Sequence, residues 1–231
     1  DAGSRDPLWS RGLGDVYKRQ GVIVFQFGVA KKFSQGNREW PMREIGDVIS
    51  FSDWPDFQRN MTPREIFLEG SFGGSYWRPI FSSVVSKSLR DQHLEFEEWW
   101  EGIHDQMLTS PEYDRKRNRF GVNCGTPLEM WESKGWMREQ DPYGWVQWYC
   151  RFFKGRRSPD DERQIGRWKS FAGPKGRFRI QLMNRIISNE GTHDDEGISP
   201  VIRQSLQHWA YRLTISDFEE YAFEKWKGSI S

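Results

Sequence analysis

The sequence predicts a mainly α fold, an irregular bundle of six to eight short helices with a short strand near the N-terminus. Three observations favour this fold. Cap residues stand directly before prolines, apolar residues recur with helical spacing, and no alternating strand pattern of comparable strength follows residue 85. The 13 Trp, 16 Phe and 7 Tyr supply the apolar area that a core needs, which argues against a disordered chain.

The helix starts are predicted from pairs of a cap residue and a proline. Ser, Thr and Asp side chains accept the unpaired N–H groups of a first turn, and proline at the first helical position loses no hydrogen bond. Six such pairs occur: Thr62-Pro63, Ser110-Pro111, Thr126-Pro127, Asp141-Pro142, Ser158-Pro159 and Ser199-Pro200. Three pairs have an acidic residue three positions after the cap, close to a capping box: Thr62 with Glu65, Thr126 with Glu129, and Ser158 with Asp161. Helix ends are predicted at Gly70, Gly135, Gly155 and Gly173.

Between these signals the apolar residues follow the helical period. The clearest run is Trp145, Trp148, Tyr149, Phe152 and Phe153, which places one helix face almost wholly in the core. Runs with similar spacing begin at Ile165, Phe178, Ile202 and Phe218. The polar stretch 188–198 is predicted to be a loop.

The N-terminal part of the chain differs from the rest. Residues 1–20 are expected to be a non-native leader, because Asp15–Gln20 reads like the translation of a sequencing-library transposon end. Residues 21–61 are expected to be an extended or loop segment, in which Val22–Phe27 is a candidate strand. Residues 62–231 are expected to form a single helical domain.

Composition excludes several classes of protein. No stretch approaches the roughly 18 apolar residues that a membrane span needs, so no membrane partner is expected. Cys124 and Cys150 form neither a disulfide framework nor a zinc motif, which predicts reduced thiols and an intracellular protein, in the cytoplasm or the nucleus. Neither a metal site nor a cofactor is predicted.

Positive charge is concentrated in one segment, although the whole chain carries only +1. Residues 151–185 contain eleven basic and three acidic residues, a local charge of +8, and arginine forks suit phosphate groups. The candidate anion-binding or nucleic-acid-binding residues are Arg156, Arg157, Arg163, Arg167, Lys169, Lys175, Arg177 and Arg179. The alternative is that these side chains pair internally with the stretch 91–105, which carries −6.

A second candidate site is the glycine-rich segment 70–79. Because it follows a predicted helix and lacks a P-loop lysine, it is predicted to be a tight turn under Tyr76 and Trp77. Alternatively, this segment could line a ligand pocket, with Arg78 or Tyr76 orienting the ligand. The candidate pocket residues are Gly73, Gly74, Tyr76, Trp77 and Arg78.

Other side chains give little sign of catalysis. No metal-binding or nucleophile motif accompanies the four histidines, and His208, in a predicted packed helix, is expected to be structural. Most tryptophans are expected to lie in the core, with Trp168 as the one most suited to stack on a nucleic-acid base. Catalytic residues are not assigned.

Several motifs together support a resemblance: 70–79 (GSFGGSYWRP), 141–152 (DPYGWVQWYCRF), 155–168 with its Arg-rich start, and 202–211 with His208 and Trp209. This pattern resembles a family of uncharacterised proteins found among bacteria, algae and fungi, over about residues 62–213. The resemblance implies a natural and widely used fold, and it carries over no catalytic residue.

The sequence thus favours an anion-binding or nucleic-acid-binding protein that uses residues 151–185. The alternatives are an enzyme or small-ligand-binding protein with its pocket at residues 70–79, and a protein-interaction module. Whether the protein is an enzyme, and its oligomeric state, are left open.

Overall fold

A computed structural model describes residues 23–25 and 46–230, and the predicted leader 1–20 lies outside the described residues. The mainly α prediction is confirmed. The described residues form seven α-helices: α1 (Pro63–Leu68), α2 (Leu128–Ser133), α3 (Trp145–Phe153), α4 (Asp161–Phe171), α5 (Arg177–Ser188), α6 (Pro200–His208) and α7 (Ile215–Ile230). Short 3-10 turns connect α1 to α2, and none of the described helices is long and apolar enough to cross a membrane.

Two of the proline signals mark the helix start to the residue. Helix α1 begins at Pro63, and its capping box is complete, because the Thr62 hydroxyl accepts the Glu65 N–H while the Glu65 carboxylate accepts the Thr62 N–H. Helix α6 begins at Pro200, although Ser199 has a left-handed backbone and makes no side-chain cap. Helices α2 and α4 begin one and two residues after their prolines.

The predicted starts at Pro111 and Pro142 are wrong. No helix begins at Pro111, because the Ser110 hydroxyl donates to the Glu112 carbonyl and accepts from Arg117 instead of capping a first turn. After Pro142, helix α3 begins only at Trp145, because the Asp141 carboxylate accepts hydrogen bonds from arginines farther along the chain. A cap residue whose side chain has a charged partner is not available to the helix.

Five short strands complete the fold. Strand β1 (Ile23–Phe25) confirms the strand predicted within Val22–Phe27, and it pairs in parallel with β2 (Ile49–Phe51). Strand β3 (Trp54–Arg59) is antiparallel to β2. A hairpin of β4 (Ile80–Ser82) and β5 (Lys87–Leu89) has no counterpart in the sequence prediction, because strands of three residues are too short to show a period.

The core is built largely from aromatic side chains. Trp148, Tyr149 and Phe152 of α3 are fully buried, as the helical spacing predicts. The Phe57 ring of β3 lies 5.5 Å from the Phe152 ring and 5.2 Å from the Trp168 ring. The strands of residues 49–59 therefore share one core with the helices.

One arginine lies inside this core. The guanidinium of Arg59 is fully buried, and its carbon lies 3.4 Å from the centre of the Phe57 ring and 4.0 Å from that of Phe51. None of its three nitrogens has a hydrogen-bond partner among the described residues. Burial lowers the pKa of Arg59 to about 9, and contact with the ring faces supplies part of the stabilisation that water would otherwise give.

Candidate functional site

Two adjoining chambers form one cleft beside the glycine-rich segment. The larger chamber has a volume of about 860 Å³ and the smaller about 460 Å³. Because seven residues line both chambers, we treat them as continuous and call the region they share the neck. The neck residues are Phe72, Tyr76, Cys124, Gly125, Thr126, Trp131 and Met137.

A row of stacked rings forms one wall of the larger chamber. The Trp145 ring lies 4.6 Å from the Trp209 ring, Trp209 lies 4.9 Å from Phe171, and Phe171 lies 4.1 Å from Phe178. The first residue of α3, the last of α4, the second of α5 and the residue after α6 supply these rings. A planar apolar ligand could lie against such a wall.

Arg167 stands next to this row. Its guanidinium carbon lies 5.4 Å from the centre of the Trp136 ring and 5.2 Å from that of Trp209. Its Nη1 donates to the Gln164 side chain at 2.9 Å, while Nε and Nη2 make no hydrogen bond within the described part of the chain. Burial lowers the pKa of Arg167 to about 10, so the side chain stays a cation at neutral pH.

Two further arginines line the larger chamber. The exposed Arg177 guanidinium lies 4.7 Å from the centre of the Phe178 ring and has no ion-pair partner among residues 46–228. Arg163 is different, because its Nε and Nη2 bind both oxygens of Asp160, at 2.5 and 2.7 Å. Arg167 and Arg177 are therefore the two cations of this chamber that have no carboxylate partner in the part of the chain that the structure describes.

The smaller chamber holds one cation. Arg78 donates from Nη1 to the Ser75 carbonyl at 2.9 Å, and the described residues give it no carboxylate partner. No Asp or Glu among the described residues lines either chamber. The described walls of the cleft therefore carry positive charge and no acidic side chain.

The glycine-rich segment supplies Phe72 and Tyr76 to the neck. The predicted tight turn is present, with Tyr76 and Trp77 buried. Gly74 has φ +76°, and a Cβ there would lie 2.1 Å from the Gln106 carbonyl, so the turn requires glycine at this position. Of the candidate pocket residues, Tyr76 and Arg78 line the cleft, whereas Gly73, Gly74 and Trp77 are not among its lining residues.

Tyr76 lines the cleft with its ring rather than with a usable hydroxyl. The hydroxyl donates to the Tyr143 carbonyl at 2.7 Å and accepts the Gln147 N–H at 3.0 Å. Both backbone contacts are internal, so Arg78 is the better of the two residues to orient a ligand.

Cys124 and His208 meet at the floor of the cleft. The Phe72 N–H donates to His208 Nε2 at 3.0 Å, so the imidazole proton must sit on Nδ1, which lies 3.7 Å from Cys124 Sγ. Burial lowers the pKa of His208 to about 3 and raises the pKa of the Cys124 thiol. His208 therefore cannot take a proton from Cys124, and it is the structural histidine that the sequence predicts.

Four of the other five candidate basic residues have carboxylate partners outside the cleft. Arg156 binds Asp141 and Arg157 binds Asp53, while Lys169 lies 3.2 Å from Asp56 and Arg179 lies 2.6 Å from Asp217. Lys175 is exposed and has no ion pair in the described ranges. The ion pairs found between the stretch 91–105 and this segment are Glu95 with Arg151 and Glu98 with Lys154.

The stacking residues of the cleft were not found from the sequence. Trp168, the expected exception among the core tryptophans, is fully buried and donates its indole N–H to the Trp209 carbonyl, so that expectation is wrong. The tryptophans that line the cleft are Trp131, Trp136, Trp145 and Trp209. Of these four, only Trp136 had a local signal in the sequence, because it directly follows the predicted helix end at Gly135. In the structure its side chain is exposed.

No protein-family model matches this chain, and neither a curated protein nor a solved structure matches it. The resemblance drawn from its tryptophan and arginine motifs stays a prediction.

Proposed function

We propose that this protein binds a small organic anion with an apolar, ring-containing body in the larger chamber of the cleft. One observation carries the proposal. The two unpaired guanidiniums of Arg167 and Arg177 stand beside a row of four stacked rings, in a chamber with no acidic lining residue among those described.

The two features of this wall act on different parts of one ligand. An apolar ring placed against the stacked wall loses contact with water, which is the main favourable term for a concave site. The Nε and Nη2 atoms of Arg167 form the side-on pair that engages a carboxylate or phosphate with two hydrogen bonds. Neighbouring rings exclude water from this guanidinium, and its attraction to an anion is stronger there than on an open surface.

Ion pairing favours a small ligand over nucleic acid. Five of the eight candidate basic residues have carboxylate partners within the chain: Arg156, Arg157, Arg163, Lys169 and Arg179. A nucleic-acid strand draws its affinity from several phosphate contacts, each of which needs a cation that is not already neutralised. Nucleic-acid binding by residues 151–185 therefore becomes the competing outcome of the test.

The cleft chemistry favours binding over catalysis. The thiol of Cys124 has no base beside it, because His208 carries its proton on the nitrogen that faces the sulfur. The intracellular location expected from the sequence is kept as part of the proposal, supported by two cysteines that are both free thiols.

The test is calorimetric titration with biphenyl that carries a single para carboxylate. We expect the unaltered chain to bind this probe and Arg167→Gln to bind it at least about tenfold more weakly, because a charge-assisted hydrogen bond contributes about 1.5–3 kcal/mol. Lys169→Gln is the matched control. It removes the same charge from the same helix, but its side chain pairs with Asp56 outside the cleft.

Two results would contradict the proposal. One is the absence of probe binding by a folded chain, and the other is an equal loss in Arg167→Gln and Lys169→Gln. A short single-stranded oligonucleotide is titrated in parallel. If the oligonucleotide binds more tightly than the probe, with an affinity that falls steeply with salt and is lowered by both substitutions, the nucleic-acid function replaces the one proposed.

A further inference from the structure

The two chambers hold unpaired cations at different places along one cleft. Among the described residues, Arg78 is the only charged residue that lines the smaller chamber, and Arg167 and Arg177 are the unpaired cations of the larger one. We propose that the ligand is a dianion with one anionic group at each end, which Arg78 and Arg167 hold across an apolar middle. This inference rests on the proposed function and specifies the class of ligand.

The backbone holds Arg78 in place on both sides. The Trp77 N–H donates to the Leu108 carbonyl at 2.8 Å, and the Tyr143 hydroxyl donates to the Arg78 carbonyl at 2.8 Å. Within the described part of the molecule, the guanidinium donates only from Nη1, to the Ser75 carbonyl. Its Nε and Nη2 are therefore available to a ligand. A fixed arginine with its side-on pair open is suited to a carboxylate or phosphate group.

The neck decides what lies between the two anionic groups. Phe72, Tyr76, Trp131 and Met137 supply rings and a thioether to it, and the hydroxyl of Tyr76 is engaged by the backbone. Cys124 adds a thiol that burial keeps protonated. A charged group in the neck would lose water without gaining an oppositely charged partner among the described residues, so an apolar middle fits this passage.

Two separate monoanions, one in each chamber, are the alternative occupancy. A single dianion is favoured because the chambers share seven lining residues. In addition, one ligand that forms both ion pairs loses its translational and rotational freedom only once. The two cases differ in stoichiometry and in how affinity depends on the second anionic group.

The test compares biphenyl carrying one para carboxylate with biphenyl carrying carboxylates at both para positions, again by calorimetry. We expect the dicarboxylate to bind with one molecule per chain and at least about tenfold more tightly than the monocarboxylate. In Arg78→Gln this advantage should disappear, so that the dicarboxylate binds no more tightly than the monocarboxylate. Arg167→Gln should weaken both compounds, and Lys169→Gln should weaken neither.

A length series adds a second measurement. The one-ring and three-ring analogues with a carboxylate at each end test whether the advantage requires a particular span between the anionic groups. If Arg78→Gln fails to fold, Arg78→Lys keeps the charge without the planar fork, and the dicarboxylate advantage should then be reduced rather than lost.

The outcomes separate the two proposals. Equal affinity for the two biphenyl compounds, or two dicarboxylate molecules per chain, overturns the dianion and leaves the proposed function standing. A dicarboxylate advantage that survives unchanged in Arg78→Gln also overturns it. Failure of both compounds to bind overturns the proposed function itself.

Discussion

Both halves of the basic segment are rich in Lys and Arg, but in the structure they differ in how many of these side chains have a carboxylate partner. In residues 151–163, every basic side chain has a carboxylate partner: Arg151, Lys154, Arg156, Arg157 and Arg163. In residues 167–185, only Lys169 and Arg179 have one among the described residues. The unpaired group contains Arg167 and Arg177, which line the larger chamber and have no carboxylate partner among the described residues.

The difference comes from where the acids lie. Arg163 pairs with Asp160 within the first half, whereas the other partners come from other parts of the chain, for example Asp53, Glu95 and Asp141. The second half is next to the aromatic wall, where no acid is present among the described residues. The net charge of a sequence segment therefore does not distinguish cations that stabilise the fold through ion pairs from cations that are available to bind a ligand.

Removing the partner of two arginines should have the largest effect on stability. Asp141 is fully buried and accepts Arg151 at 3.0 Å and Arg156 at 2.6 Å. We expect Asp141→Asn to lower the free energy of unfolding by about 3 kcal/mol, because it leaves Arg156 without a carboxylate partner and Arg151 with Glu95 alone. Urea unfolding measures this loss. Asp53→Asn, at an exposed pair, should cost less than about 1 kcal/mol, and equal losses would refute the distinction between these pairs.

The second prediction tests whether His208 is neutral in the folded chain, so that the positive charge of the cleft comes from arginine alone. His208 has a pKa of about 3 in the folded chain and near 6.5 when unfolded, so the stability that its neutral form provides is complete above pH 6.5. It is lost as the pH falls from there towards 3. As the pH falls from 6.5 towards 3, we expect the free energy of unfolding to decrease in both proteins. The decrease should be steeper in the unaltered chain than in His208→Gln, by about 1.4 kcal/mol per pH unit. Parallel pH profiles of the two proteins would show that His208 is not buried in its neutral form.

The smallest effect is expected at the exposed pair of the second half. Lys169 and Asp56 keep 45% and 82% of their side-chain surface exposed. Lys169→Gln should therefore change the free energy of unfolding by less than about 0.5 kcal/mol, a difference that should shrink further in high salt. A loss above about 1 kcal/mol in urea unfolding would place this pair with the stabilising pairs of the first half.

Local sequence signals predicted that the helices exist more accurately than they predicted the residue at which each helix begins. The capping box at Thr62 and Glu65 is complete because both partners lie within one turn. The start predicted at Asp141 failed because arginines ten and fifteen residues later bind its carboxylate, and no local pattern contains that information. Propensity and capping act over a few residues, whereas ion pairs depend on the finished fold.

The cleft was partly visible in the sequence, as two candidate sites that the structure brings together. Tyr76 and Arg78 from one site, and Arg163, Arg167 and Arg177 from the other, line the cleft. The stacked rings could not be predicted as a group, because Trp145 and Trp209 lie 64 residues apart. Helical spacing shows which face of a helix is apolar, but not which ring of one helix meets a ring of another.

The ring row has a consequence for folding. Its four members come from four separate helical segments, so the wall exists only once α3, α4, α5 and α6 have docked. An occupant of this wall would bind the native chain and not the unfolded one. By mass action, it would then add about 2.7 kcal/mol to the unfolding free energy at a hundred times its dissociation constant. Cellular abundance of the folded protein would rise with the supply of its ligand.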